Sequence, residues 1–272
     1  MPELPEITAI AGQMNQEIRG KRVADIEVRQ PKNLNISVSE FTKAVEGKLI
    51  DSVSSRGKWL FIKLNPSYLM LMNLGMGAEL LYFSPSQKLP EKYHFKLTFT
   101  DKTGFTAHFW WFGYIHLVSE SDVSNHKLTA QLGKSATDET FTLEYFRGLL
   151  ANKKTGIKSF LLDQKNLAGI GNVYAQDILF KAKLHPNRKI STLSEEEIVD
   201  LYNAIQNVLH QSIELGGLAY ERDFYGQRGK FTAEHFLVGY KQGKACPECG
   251  TAIEKIKTGT TSSYICPKCQ MT

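Results

Sequence analysis

Residues 153–186 read KKTGIKSFLLDQKNLAGIGNVYAQDILFKAKLHP. Apolar residues recur at three- and four-residue steps in GIKSFLLDQ and again in NVYAQDILFKAKL, which predicts two helices. Between them Gly169-Ile170-Gly171-Asn172 makes a turn too tight for bulky side chains, so a ligand can come close to the backbone. The helix opening at Asn172 presents free N–H groups and the positive end of its dipole, a suitable seat for a phosphate, and Asn172 adds a side-chain amide. A plain corner between two helices accounts for the glycines as well, and at this point both readings stand. The local charge favours an anionic ligand. Residues 151–190 hold eight Lys/Arg against two Asp, although the whole chain is only +5. Most of the excess positive charge thus lies in the C-terminal half, as expected of a surface that faces a polyanion, while a solvated lysine face is the simpler alternative.

Downstream, the segment SEEEIVDLYNAIQNVLHQSIELGG predicts a long helix that starts at Ser194 and stops at Gly216-Gly217. EYFRGLLAN, at 144–152, is a shorter one. All four cysteines lie beyond, as CPEC (Cys246, Cys249) and CPKC (Cys266, Cys269). Two C-x-x-C knuckles around a β-prone AIEKIKTGTTSSYI predict a hairpin that holds one tetrahedral, structural Zn2+. Disulfides are the competing reading. They would need an oxidising compartment, for which there is no secretory signal pattern. Residues 226–229, in DFYGQRGKF, read as a mobile loop.

Upstream of about residue 130 the period changes to two. GKLIDSVSSRGKWLFIKL, YLMLMNLG, AELLYFS and HFKLTFTDKTGFTAHFWWFGYIHLV alternate apolar and polar residues between Gly, Pro and Asp turns, which predicts a sandwich or flattened barrel. One helix precedes them, from about Pro5 to Gly20. With 272 residues and ordinary globular composition, the chain is expected to be α+β, with a β-sandwich over 1–130, a helical domain over 131–236 and a zinc-bound hairpin over 237–272. No apolar run approaches the ~20 residues that span a bilayer. The chain opens MPELPE, where Pro2 and two acids suit the first turn of a helix.

Taken in order, MPELPE, RGKWL, LGMG, residues 153–186, CPECGTAI and CPKCQ resemble the formamidopyrimidine-DNA glycosylase and endonuclease VIII family, over nearly the whole chain. The resemblance implies a β-sandwich, a helix-two-turn-helix domain and a zinc finger, with DNA held in a cleft between two lobes. It implies a bifunctional base-excision enzyme that removes damaged bases from duplex DNA and then cleaves the strand by β- or β,δ-elimination. The expected setting is the bacterial cytoplasm, at the nucleoid, with the chain acting as a monomer. In that family Met1 is removed and the secondary amine of Pro2 attacks the sugar C1′. A terminal amine titrates near pH ~7.7–8, so a useful fraction is neutral without heavy tuning. Glu3 would protonate the opening sugar, a task that suits a carboxyl raised by burial, and Glu6 would support it. Lys58 matches a catalytic lysine on a β-turn that contacts the phosphates around the lesion and assists the chemistry, and Lys158 and Asn172 match phosphate contacts of the helical domain. Because the target nucleotide leaves the stack, apolar wedges must fill the gap. Met76 and Phe112 match two of them.

Two positions depart from the family pattern. In HFWWFG, Trp110 stands where the wedge arginine is usual; it can stack but offers one N–H donor, so opposite-base selectivity would be relaxed or different. In the finger, Thr261 stands where an arginine usually grips phosphate, and it offers one neutral hydrogen bond in place of a charged fork. Lys255 or Lys257 would compensate as point charges. These departures leave a rival reading, a non-catalytic protein that binds damaged or abasic DNA. A zinc-stabilised interaction module with no nucleic-acid partner is the third.

Overall fold

Strict alternation along the strands decides the N-terminal half. In the computed structural model, which describes residues 1–271, residues 1–131 form one compact unit with 216–230, and 132–215 form a second with the residues from 231 onward.

The first unit opens with α1 (Leu4–Ile18), whose buried Ile7, Ile10, Ala11, Met14 and Ile18 make one apolar face. After β1 (Val23–Val28) comes α2 (Val38–Val45), then β2 (Leu49–Arg56), β3 (Trp59–Asn65), β4 (Tyr68–Asn73), β5 (Glu79–Phe83), β6 (Phe95–Phe99), β7 (Gly104–His108) and β8 (Tyr114–Ser119). They form two four-stranded antiparallel sheets, ordered β1-β6-β7-β5 and β2-β3-β4-β8. Leu60, Ile62 and Leu64 of β3 and Phe95, Leu97 and Phe99 of β6 point into one core with the apolar face of α1. Each such side chain, fully buried, contributes roughly 1.5–3 kcal/mol of hydrophobic stabilisation. A sandwich is therefore found.

Two features of this unit differ from the expectation or go beyond it. Helix α2 lies ahead of the first predicted strand, GKLIDSVSS, where no helix is expected. Its start is a capping box, with Glu40 N donating to Ser37 Oγ and Ser37 N donating back to Glu40 Oε2. Residues 226–229, expected to be a mobile loop, belong to a segment fastened to the sandwich. Phe224 is buried in the core, Tyr82 N donates to Phe224 O, and Asp223 Oδ1 accepts from the N–H groups of Tyr225 and Gln227. Gln13, on α1, holds both Asp223 and the Phe224 N–H.

The second unit carries α3 (Leu143–Leu150), α4 (Ile157–Leu162), α5 (Asn172–Lys181) and α6 (Glu195–Glu214). A short parallel pair joins β9 (Lys134–Ser135) to β10 (Leu167–Ala168). Residues Tyr174 to Phe180 of α5 are all buried, so this helix is the centre of the unit. Ser194 caps α6 as its sequence predicts, and Gly216, at φ 70°, follows its end. The hairpin of β11 (Glu254–Thr258) and β12 (Thr261–Ile265) closes the chain. No helix among the described residues is long and apolar enough to cross a membrane.

Candidate functional site

In the first unit, the start of α1 collects carboxylates. Glu3 and Glu6 are each 3% exposed, and Pro2 is buried with them. Glu6 binds in two directions: Oε2 accepts the Glu3 N–H at 2.8 Å and Oε1 accepts the Leu218 N–H at 3.0 Å. The second contact requires Gly217, at φ 85°, because a Cβ there would lie 2.8 Å from Glu6 Oε1. A third acid, Glu221, comes from the same returning segment and sits 3.7 Å from the terminal amine of Met1. Burial pushes its carboxyl above the usual range, and the charge of Glu3 adds to that, while the terminal ammonium opposes it.

Lys58 lies half-buried in the turn between β2 and β3, just after Gly57 at φ 58°. Its carbonyl accepts from Asn73 Nδ2, and Asn73 Oδ1 accepts the Gly75 N–H, so one amide joins the Lys58 turn to the loop that bears Met76. That loop pairs with the next one. Met76 N donates to Trp111 O at 2.9 Å, with Trp111 N returning to Met76 O. The pairing needs Gly75, whose Cβ would strike Trp111 O. Met76, Trp110 and Phe112 thus share one projecting tip, respectively 43%, 71% and 64% exposed, and Trp111 joins them at 59%. The tip is rigidly mounted: Phe109 beneath it is buried, Phe109 N donates to His94 Nδ1, and Asn33 Nδ2 donates to Gly113 O. A monomeric surface seldom leaves four such side chains in water without a partner.

In the second unit the phosphate-binding candidates converge on the hairpin. Asn172 opens α5, and Gln176 Nε2 donates to both Asn172 O and Asn172 Oδ1. The same Gln176 donates to Ser262 O and accepts the Tyr264 N–H, so it links the helix start to β12. Lys158 is 2% exposed. Its three ammonium hydrogens meet Thr261 Oγ1, Ser262 O and Ser263 Oγ at 2.8–2.9 Å. Burial pushes it down to about 8. Its donors are therefore spent inside the fold. Thr261 is likewise engaged, with Oγ1 accepting from Lys158 and donating to Thr258 O. Lys255 and Lys257 are exposed two residues apart on β11, and so on one face of the strand.

The four Sγ atoms of Cys246, Cys249, Cys266 and Cys269 lie within 4.8 Å of one another. The Cys246–Cys269 and Cys249–Cys266 separations are 3.9 and 3.5 Å. Tetrahedral zinc with Zn–S near 2.3 Å needs about 3.8 Å between sulfurs, so the cluster fits one Zn2+. With four protein ligands the ion keeps no open position, and its part is structural. The cluster packs on Phe180 of α5 and on Val238.

Comparisons with known proteins agree along the chain. Residues 1–110 match the family model described as the formamidopyrimidine-DNA glycosylase N-terminal domain, 132–222 the H2TH domain of that glycosylase, and 243–270 the zinc finger found in FPG and IleRS. A formamidopyrimidine-DNA glycosylase of Pelotomaculum thermopropionicum is 36% identical over 278 residues, covering 99% of each chain. This chain belongs to the formamidopyrimidine-DNA glycosylase family. One from Streptococcus pneumoniae is 33% identical over 275 residues, again covering 99% of each. Among solved structures of the family, MutM in complex with DNA containing carbocyclic 8-oxo-G superposes with a TM-score of 0.90 at 29% identity, covering all of both chains. The Lactococcus lactis Fpg bound to abasic-site DNA gives 0.89 at 29% identity, over 99% of this chain and all of that one.

Within this glycosylase fold, three residues around the candidate sites escape sequence reading. Glu221 reaches the terminus only because 216–230 folds back, and no motif marks it. Asn73 is an ordinary strand-end amide. Gln176 leaves a trace, since it and Asp177 are polar residues in a helix otherwise buried on every side, which predicts that each has a partner. Asp177 accepts the N–H groups of Leu237, Val238 and Gly239, and so fixes the entry to the finger.

Proposed function

We propose that this chain is a bifunctional DNA glycosylase and AP lyase that removes damaged bases from duplex DNA, with Pro2 as nucleophile once Met1 is removed. The observation that carries this is the buried pair Glu3 and Glu6 at the start of α1, held to one another and to the returning Leu218. A protein that only binds DNA has no need to bury two carboxylates at the start of its first helix.

Pro2 nitrogen attacks C1′ and the damaged base departs. Glu3 donates a proton to the ring oxygen as the sugar opens, and Glu6 fixes the backbone of Glu3. The iminium that results makes the 2′ proton acidic, so β-elimination follows, and δ-elimination after it. Lys58 holds a phosphate at the reacting nucleotide. Met76, Trp110 and Phe112 fill the space of the extruded nucleotide, and the flat apolar Trp110 stacks where a guanidinium would have read the opposite base. In the second unit, Asn172 and the N-terminus of α5 receive backbone phosphate, and Lys158 and Thr261 act through the hairpin they lock. Functional division gives chemistry to 1–130 together with the returning 216–230, grip to the rest of 131–236, and 237–272 to the zinc finger. The enzyme works as a monomer in the cytoplasm, at the nucleoid.

A panel of duplexes carrying oxidised guanine, ring-opened guanine, an oxidised pyrimidine or an abasic site tests the reading. Solved relatives were captured with the first, second and fourth kinds of DNA. Strand cleavage with a covalent complex trapped by borohydride is expected on the abasic duplex and on at least one base lesion. Binding to every duplex without trapping on any would leave only a damage-binding protein.

A further inference from the structure

We infer that Glu221 is a catalytic residue of this enzyme, the base that takes the proton from the terminal nitrogen as it bonds to the sugar. The inference rests on the proposed role of Pro2 and adds the partner that role requires. A secondary amine that attacks C1′ keeps its hydrogen and becomes a cationic tertiary nitrogen. Its lone pair must be restored before the C1′–O4′ bond can break to form the iminium. Two protons therefore move: one leaves nitrogen, and one arrives at O4′. Glu3 supplies the second. A group is needed for the first.

Glu221 lies beside the residue whose removal frees Pro2. Its Oε1 lies 3.7 Å from the terminal nitrogen of Met1, and its side chain is 11% exposed. Once Met1 is lost the terminal nitrogen is that of buried Pro2, the next residue in, and the carboxylate belongs to the turn at 216–223. That turn is anchored independently of the amine, by Leu218 N on Glu6, Glu221 N on Leu218 O and Asp223 on Gln13. Of the charged groups around Glu221, Arg222 pairs with Glu79 on β5, Asp223 is held by Gln13, and Glu6 is held by Glu3 N and Leu218 N. Glu3 is the acid whose charge reaches it. Burial raises the Glu221 carboxyl, which makes it a better proton acceptor than an exposed glutamate.

The step balances. The nitrogen lone pair forms N–C1′ while the C1′–base bond breaks toward the base, which takes a proton from water. The N–H proton passes to the Glu221 carboxylate. The freed pair forms C=N as C1′–O4′ breaks, and Glu3 protonates O4′.

Trapping on an abasic-site duplex tests this without knowledge of the lesion, because the aldehyde still requires loss of the N–H proton. E221Q is expected to slow formation of the trapped complex about 100-fold, as removal of a general base does. It should also remove the Glu221 component of the acidic limb of the pH–rate profile, leave the component set by the terminal amine, and leave affinity for a tetrahydrofuran-containing duplex unchanged. E221D should recover part of the rate. An E221Q enzyme that traps at the wild-type rate from pH 5 to 9 overturns the inference. Should E221Q fail to fold by thermal melting, E221A decides, and a wild-type rate and profile there overturn it equally. Wild-type enzyme that traps at no pH overturns instead the reading of Pro2.

Discussion

Glycine 217 shows how finely single residues set this site. Its φ of 85° suits glycine, and a Cβ there would press on the carboxylate of Glu6. Gly217→Ala should therefore cost on the order of 1–3 kcal/mol of local strain. It should also displace Glu6 from Leu218 and Glu3, and so lower trapping on abasic DNA by tenfold or more. Gly216→Ala serves as the control, since its Cβ would meet nothing within 4 Å. Equal loss in both variants would mean that backbone freedom alone, and not the Glu6 contact, matters. Pro2, Glu3 and Glu6 lie within six consecutive residues, which alone read as a helix start, and only the family resemblance singles them out. Glu221 was not legible in the sequence, because its place depends on a pairing across more than 200 residues of chain.

At the level of elements, the finger hairpin is the clearest case of a device built from several weak parts. Lys158 on α4 holds three oxygens at the start of β12, Gln176 on α5 holds the same strand, and Asp177 holds residues 237–239. Hydrogen bonds to a charged group contribute roughly 1.5–3 kcal/mol each when their partners would otherwise be buried unpaired. Lys158→Met should thus weaken DNA binding about tenfold or more by loosening the hairpin. The slope of log affinity against log salt should stay that of the wild type. A lysine in direct contact with phosphate would instead reduce that slope by about one. A unit drop in slope would return Lys158 to the direct role that family resemblance gives it. The sequence pattern reveals those elements whose period persists: the alternating strands, α1, α6 and the cysteine-flanked hairpin. Helix α2 is only eight residues long, and its capping box at Ser37 and Glu40 is the sole local mark. The 216–230 segment is polar and glycine-rich like any loop, and one buried phenylalanine, Phe224, makes it part of the core.

For the whole molecule, acid should act through a histidine pair on the sandwich. His116 Nδ1 and His126 Nε2 are 2.8 Å apart, packed around Trp59, with His126 Nδ1 on Thr129 Oγ1. Burial, helped by His126, pushes His116 down to about 4. In the unfolded chain it titrates near 6.5. Above pH ~6.5 both states are neutral and the contribution is complete. Between 6.5 and 4 only the unfolded chain binds the proton, so stability falls as pH falls. The melting temperature should drop from pH 7 to pH 5, and His116→Gln should flatten that drop; an equally steep drop in the variant would assign the acid loss elsewhere. Lyase activity of this molecule by the proposed route depends on a deoxyribose carbon bonding to the chain's second residue. Borohydride reduction on an abasic duplex, followed by proteolysis and peptide mass mapping, measures this directly. The prediction is one adduct, on the nitrogen of Pro2, in a chain that has lost Met1. An adduct on a lysine such as Lys58, or none on a chain shown to begin at Pro2, would contradict it.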